Sequence, residues 1–320
     1  MATAVEDVDV DYDFTPFFIK YKSGTVKRLM GTAITPPTDP DPLTGVVSKD
    51  VLITPDSTVS ARLYLPANVF PDSDQRFPIV VYFHGGAFCI ETSSSPFYHR
   101  YLNTLVSRSN IIVVSVTYRL APEHPLPAAY TDSWTALQWT LASNSDPWIE
   151  SHGDLNRLFL AGDSAGANIC QWVGMKAGED KKVRIEGIVL VHAYFWGKDP
   201  IGDESTEAWF RTKMERDWCY ISPESEKSGK GVDHPSINPT AEDAPCLKGL
   251  GCRKVIVCVT DDLFKHRNLL YYQKLKASGW DGEVELVTTE GERHVFHLLD
   301  PTCDKAVQKM DRLVHFFNSS

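Results

Sequence analysis

The sequence predicts an α/β fold, with a mostly parallel central sheet flanked by helices and a small cap drawn from residues 1–45 and an insertion at 199–245. Three observations predict it. First, short continuous apolar runs recur at Pro78–Phe83, Ile111–Val116, Leu158–Ala161, Ile188–Val191 and Val255–Val259. Runs of this length bounded by turn residues suit parallel strands buried on both faces. Second, helix-length segments lie between them, among them Ala128–Leu141, Ala165–Ala177 and Leu263–Ala277. Strand alternating with helix implies right-handed crossovers. Third, residues 199–245 break the rhythm and are rich in Asp, Glu, Ser, Gly and Trp. They read as an insertion beside the late strands, a common origin of lids. The 320 residues are expected to form a single domain with these cap elements.

Taken in order, the chain opens on an acidic stretch, Glu6–Asp13, read as a solvated, mobile terminus. Phe17–Leu29 alternates around Ser23-Gly24 like a hairpin, and the Pro/Asp-rich residues 35–44 read as an extended loop. Val51–Thr54 and Val59–Leu65 follow as strands joined by a turn at 55–58, giving the sheet an antiparallel edge. In the helix at Ala128–Leu141, Trp134, Leu137 and Leu141 share one face. Glu283–Thr289 reads as the last strand.

Composition narrows the function classes. Against 32 Lys and Arg stand 42 Asp and Glu, a formal charge of -10. Such a surface repels phosphate backbones and anionic membranes, which argues against nucleic acid or membrane partners. Seven cysteines with no CxxC spacing argue against a disulfide framework and a structural zinc site, and Cys258 sits inside an apolar run as a small hydrophobe. The N-terminus lacks the basic-then-apolar pattern of a signal peptide, no apolar stretch approaches 18 residues, and a soluble cytoplasmic protein is expected. The sequon Asn318-Ser319-Ser320 carries no weight in that compartment.

The chemistry centres on Gly162-Asp163-Ser164-Ala165-Gly166, between the run Leu158–Ala161 and a helical segment. G-x-S-x-G in that context is a nucleophile elbow. The turn is too tight for large flanking side chains, and it lifts the serine oxygen to a helix N-terminus that favours developing negative charge. Alone the pattern also describes an ordinary Gly/Ser loop. A second motif, His84-Gly85-Gly86-Ala87-Phe88, directly follows the run Pro78–Phe83. There the N–H groups of Gly85 and Gly86, with that of Ala165, are expected to form an oxyanion hole. A serine hydroxyl needs a base, and the expected order is Ser, then an acid, then His. Asp261 and Asp262 follow the strand at 255–259, and His294 and His297 follow the strand at 283–289. Spacing leaves both pairs open. For Asp163 and Glu292 structural or electrostatic roles are expected.

These residues resemble the plant carboxylesterases of the hormone-sensitive-lipase-like group, members of the α/β-hydrolase fold. The resemblance runs from Phe18-Ile19-Lys20-Tyr21 onward and rests on the HGGAF block, Tyr118-Arg119-Leu120-Ala121-Pro122-Glu123-His124, Pro127-Ala128-Ala129-Tyr130, the elbow with Ala167-Asn168, Tyr194-Phe195-Trp196-Gly197, Ile237-Asn238-Pro239, Ser278-Gly279-Trp280 and His294-Val295-Phe296-His297. It implies Asp262, counted back from Arg267, as the acid and His294 as the base. The chain departs from the family pattern at Ala87, where a third Gly is common, at Ala193, where a Pro is common, and in the block Lys265-His266-Arg267-Asn268.

The resemblance implies hydrolysis of a small-molecule carboxylic ester in plant specialised metabolism, through a Ser164–His294–Asp262 triad with no metal or cofactor. Phe88, Ile90, Tyr194, Phe195, Trp196 and Trp218 are expected to bind substrate, although each suits core packing equally well. The chain is expected to act as a monomer or homodimer. Similar proteins include 2-hydroxyisoflavanone dehydratases, which typically carry Thr in place of Ser, and alkaloid cyclases and gibberellin receptors without the usual His. A lyase or cyclase is therefore the alternative, and a hormone-receptor-like binder a more distant one.

Overall fold

A computed structural model describes residues 9–67, 69, 75–143, 145–180 and 182–319. A small antiparallel sheet comes first, made of β1 (Val10–Phe14), β2 (Phe18–Tyr21) and β3 (Val26–Arg28). The β2–β3 hairpin turns at Ser23-Gly24, as the alternation predicts. The acidic stretch departs from expectation. Residues 6–8 lie outside the described residues, but from Val10 it is strand β1. Its acidic side chains line the exposed side of that strand, where Asp11 pairs with Lys20 at 3.2 Å.

The apolar runs form the middle of an eight-stranded sheet. Its strands are β4 (Val47–Leu52), β5 (Ser60–Leu65), β6 (Phe77–Phe83), β7 (Ile112–Thr117), β8 (Gly153–Asp163), β9 (Ile185–Val191), β10 (Cys252–Thr260) and β11 (Glu283–Thr289). The spatial order is β11-β10-β9-β8-β6-β7-β5-β4, parallel except where β5 meets β7 and β4. Every residue of β6 is buried, which is why that strand reads as an unbroken apolar run.

Two helical layers cover the sheet. On one face lie α2 (Ala128–Leu141) and α4 (Ala165–Glu179), packed on β6, and α7 (Lys265–Ala277), packed on β10 and β11, in one core with Ile79, Val81 and Phe83. On the other lie α1 (Pro96–Ser109), the one-turn α8 (Phe296–Leu299) and α9 (Asp304–Asn318), packed on Val80 and Tyr82. The short α3 (Pro147–His152) leads into β8, with Asp146 capping it through Trp148 N at 2.9 Å. The buried stripe of α2 runs through Ala129, Tyr130, Ser133, Ala136, Leu137 and Thr140, so Trp134 and Leu141 lie at its margin and only Leu137 at its centre.

Residues 199–245 supply α5 (Ala208–Ile221) and α6 (Pro223–Lys227) between β9 and β10. The N-terminal sheet docks on α5. Tyr12 stacks on Tyr220 with ring centroids 3.5 Å apart, and its hydroxyl donates to Asp217 at 2.9 Å. Both segments lie over the C-terminal ends of the parallel strands, where open α/β sheets place their ligands.

Candidate active site

The elbow forms where β8 runs into α4. Ser164 has φ 52° and ψ -117°, a conformation that costs about 1–3 kcal/mol for a residue with a side chain. Close packing imposes it. A Cβ on Gly166 would lie 1.9 Å from the Phe83 carbonyl oxygen, and one on Gly162 would lie 2.5 Å from the Gly166 carbonyl carbon. Both flanking positions are therefore closed to any side chain, and Ser164 is pushed to the head of α4.

The loops after β10 and β11 converge beside it. His294 Nδ1 and Asp262 Oδ2 are 2.6 Å apart, and the second oxygen of Asp262 accepts from Phe264 N at 2.9 Å. The members of the two pairs left open by the spacing are placed differently. Asp261 points outward, accepting from Lys265 Nζ at 2.7 Å and from the Gly291 N–H. His297 is buried and turned away, edge-on to Tyr101, and burial pushes its pKa well below the usual histidine range. Ser164 and His294 line one cavity together.

The loop after β6 requires a correction. Gly85 N–H was expected in the oxyanion hole, but it donates to the Tyr98 hydroxyl at 2.7 Å. Gly86 and Ala87 line the cavity instead, and Gly85 does not. Tyr98 in turn donates to Asp163 Oδ2 at 2.9 Å, and Tyr82 donates to Oδ1 at 2.8 Å. Asp163 thus anchors the loop from within the elbow. Its burial raises its pKa to about 6 against the opposing pull of the two tyrosine hydroxyls. His84 stacks on Tyr118 at 4.2 Å and, fully buried, has its pKa lowered to about 4, so it serves the loop as a neutral ring.

The cavity has a volume of about 450 Å³. Phe14 and Phe17 of the N-terminal segment, Phe210 and Met214 of α5, and Phe264 and Leu298 of the core make it strongly apolar. Of the residues expected to bind substrate, Ile90 and Tyr194 line it. Phe88, Phe195, Trp196 and Trp218 do not. These four are core. Phe88 sits edge-on to Tyr130 and Trp218, Phe195 packs on Tyr271, Trp196 lies between Arg211 and Arg267, and Trp218 donates its indole N–H to Ser225 at 2.9 Å. Aromatic residue type does not separate a pocket wall from the packing behind it.

Residues for which the sequence suggested no contact hold the frame. Asn268 clamps Ala193 through both amide ends, at 3.0 and 2.9 Å. Arg267 and Glu204 form a buried bidentate pair at 2.7 and 2.9 Å that fixes the start of the insertion. Asn168 donates to the carbonyls of Tyr194 and Ser236. His192 Nδ1 accepts from Val295 N–H at 3.1 Å and holds the loop that carries His294. His192, Asp262 and His294 each offer a ligand atom within 4.8 Å of the others; Asp262 and His294 pair with each other, while His192 Nε2 is buried without a hydrogen-bond partner among the described residues.

A profile of the alpha/beta hydrolase fold matches residues 80–298, and the chain belongs to that family, on the branch of the plant carboxylesterases. Probable carboxylesterase 2 of Arabidopsis thaliana is 45% identical over 97% of this chain and 96% of its own length. The 2-hydroxyisoflavanone dehydratase of Glycyrrhiza echinata is 40% identical over 96% of each. Tuliposide A-converting enzyme 2, chloroplastic, of Tulipa gesneriana is 42% identical over 98% of this chain and 80% of its own length. Among solved structures, the thermostable carboxylesterase EstE1 from a metagenomic library superposes with a TM-score of 0.67 at 25% identity, covering 85% of this chain and 88% of its own.

Proposed function

We propose that the protein is a serine carboxylesterase that cleaves a small-molecule ester of plant specialised metabolism through an acyl-enzyme. The observation that carries this reading is the 2.6 Å contact of Asp262 with His294 beside a strained Ser164 in one apolar cavity. In it, His294 takes the Ser164 proton as the hydroxyl attacks the ester carbonyl, and Asp262 holds the imidazole tautomer and stabilises the imidazolium. The N–H groups of Gly86, Ala87 and Ala165 receive the oxyanion. His294 then protonates the leaving alcohol, and water repeats the sequence on the acyl group. The chemistry needs no metal or cofactor. We read the chain as one hydrolase domain whose cap, from residues 1–45 and 199–245, shapes the cavity. It acts as a monomer or homodimer in the cytoplasm, although tulip relatives carry plastid names. Among the described residues no helix is long and apolar enough to cross a membrane.

Turnover of short acyl esters by Ser164→Ala tests the reading. A loss of about a thousandfold or more is expected, and turnover near that of the unaltered protein rejects Ser164 as nucleophile. A dehydratase-like elimination is the second reading, favoured by the 40% identical relative of that name. It needs a base but no acyl-enzyme. Trapping an acyl group on Ser164 with the ester substrate rejects it.

A further inference from the structure

Behind the His294 loop lies a second cavity, about 290 Å³ in volume, between α1, α8 and α9. Two fully buried polar side chains line it. Lys309 of α9 is 3% exposed and His297 of α8 is 2% exposed. Neither the Lys309 ammonium nor either ring nitrogen of His297 has a hydrogen-bond partner among the described residues. Lys309 Nζ lies 4.8 Å from the centre of the Phe296 ring, which supplies a weak π face and no counter-charge. Arg108 stands at the rim, paired with Asp311, and Thr104 and Thr302 add hydroxyls. No carboxylate lines this cavity among the described residues, in a chain whose net charge is -10.

An isolated buried ammonium costs several kcal/mol, so buried charges are ordinarily paired. Here the carboxylate whose charge reaches Lys309, that of Asp163, is already committed to Tyr82 and Tyr98, while three donor-bearing side chains, two of them buried, converge on one space. We propose that this cavity is a binding site for a small oxyanion, an inorganic phosphate or a carboxylate, held by Lys309 and His297 with Arg108 at its mouth. The occupant completes the ion pair that the fold leaves open. The site is separate from the ester cavity and does not rest on the esterase reading. It does adjoin the same loop. His297 lies 5.8 Å from His192 between ring centres, and His192 lies 5.8 Å from His294.

Titration of the full chain with inorganic phosphate, and separately with acetate, tests the proposal at pH 6, where Lys309 is protonated. Calorimetry or a phosphorus resonance is the readout. One phosphate or acetate binding saturably with a Kd of about 1 mM or tighter is expected, with at least tenfold weaker binding in Lys309→Met. Which of the two binds more tightly separates a tetrahedral anion from a carboxylate. Equal binding to both proteins would mean an adventitious ion only and overturns the site, as does the absence of saturable binding of either anion. If Lys309→Met does not fold, crystals of the unaltered protein soaked in arsenate decide the matter. An anomalous peak within hydrogen-bonding distance of Lys309 Nζ supports the site, and none overturns it.

Discussion

Replacing Asp262 by Asn changes one atom and tests the whole orientation argument. The two carboxylate oxygens have different tasks. One accepts from Phe264 N–H at 2.9 Å, and the other faces His294 Nδ1 at 2.6 Å. The amide of Asn has one acceptor, and the fixed backbone N–H of Phe264 claims it. The Asn NH₂ is then turned toward His294. Nδ1 must accept, so the ring proton moves to Nε2, and the lone pair that should take the Ser164 proton is gone. An amide at this position in a Ser-His-Asp triad typically lowers kcat about 10⁴-fold, equivalent to about 5 kcal/mol of barrier. Steady-state kinetics on a chromogenic short-chain ester measure the effect, and circular dichroism confirms the fold. Asp261→Asn is the internal control, because that carboxylate meets Lys265 and Gly291 rather than the base. It is expected to stay within about threefold, as exposed ion pairs contribute little. Turnover by Asp262→Asn within tenfold of the unaltered protein refutes the assignment.

Other predictions follow from the same contacts. Tyr98→Phe removes both the acceptor of Gly85 N–H and a donor to Asp163, at about 1–3 kcal/mol for each buried group left unpaired. It should lower kcat more than tenfold with little change in KM; equal effects on both parameters would contradict a role in the oxyanion loop. Gly166→Ala places a Cβ 1.9 Å from the Phe83 carbonyl oxygen, and a loss of more than about 3 kcal/mol is expected in urea unfolding. Lys309 has its pKa lowered from 10.5 to about 7 by burial. Between those values the unfolded chain holds a proton that the folded protein lacks, so stability rises with pH across that window and is level below it. At 1.36 kcal/mol per pH unit the penalty at neutral pH is on the order of 4–5 kcal/mol when no counter-anion is bound. Lys309→Met should therefore be more stable than the unaltered protein at pH 7 in buffer free of oxyanions, with the advantage shrinking by pH 10. An advantage that does not change with pH contradicts the lowered pKa.

Much of the fold is legible in the sequence because burial on both faces of β6 through β10 leaves continuous apolar runs, and because Gly162 and Gly166 have no alternative. The second helical layer leaves a signal of its own in α9. Ala306, Met310, Leu313 and Phe317 repeat at helical spacing on α9. What local sequence does not contain are decisions made by distant partners. Asp261 and Asp262 differ only in which of them the loop turns toward His294. Gly85 and Gly86 differ because Tyr98, on α1, captures one N–H. Ala87 takes a place at the cavity wall with φ 51°, where a third Gly would adopt that backbone without strain. Phe88 and Tyr194 are both buried aromatics, yet Phe88 packs edge-on to Tyr130 and Trp218 while Tyr194 meets the cavity.

A base poised by an acid is equally useful for removing a proton from carbon, so the Asp262–His294 contact alone does not choose hydrolysis. Covalent catalysis asks for more: a nucleophile held in a strained conformation, with oxyanion donors placed for the carbonyl it attacks. Ser164 carries the strain, at φ 52°. Asp163 then ties the two requirements together, since the residue inside the elbow also anchors Tyr98 and through it the loop of Gly86 and Ala87. An elimination beside a carbonyl can use the same oxyanion donors for its enolate, but it has no use for a nucleophile at the elbow. Ser164→Ala should therefore cripple ester cleavage while sparing a proton abstraction by His294, and the ratio of those two losses reports which reaction the site is built for.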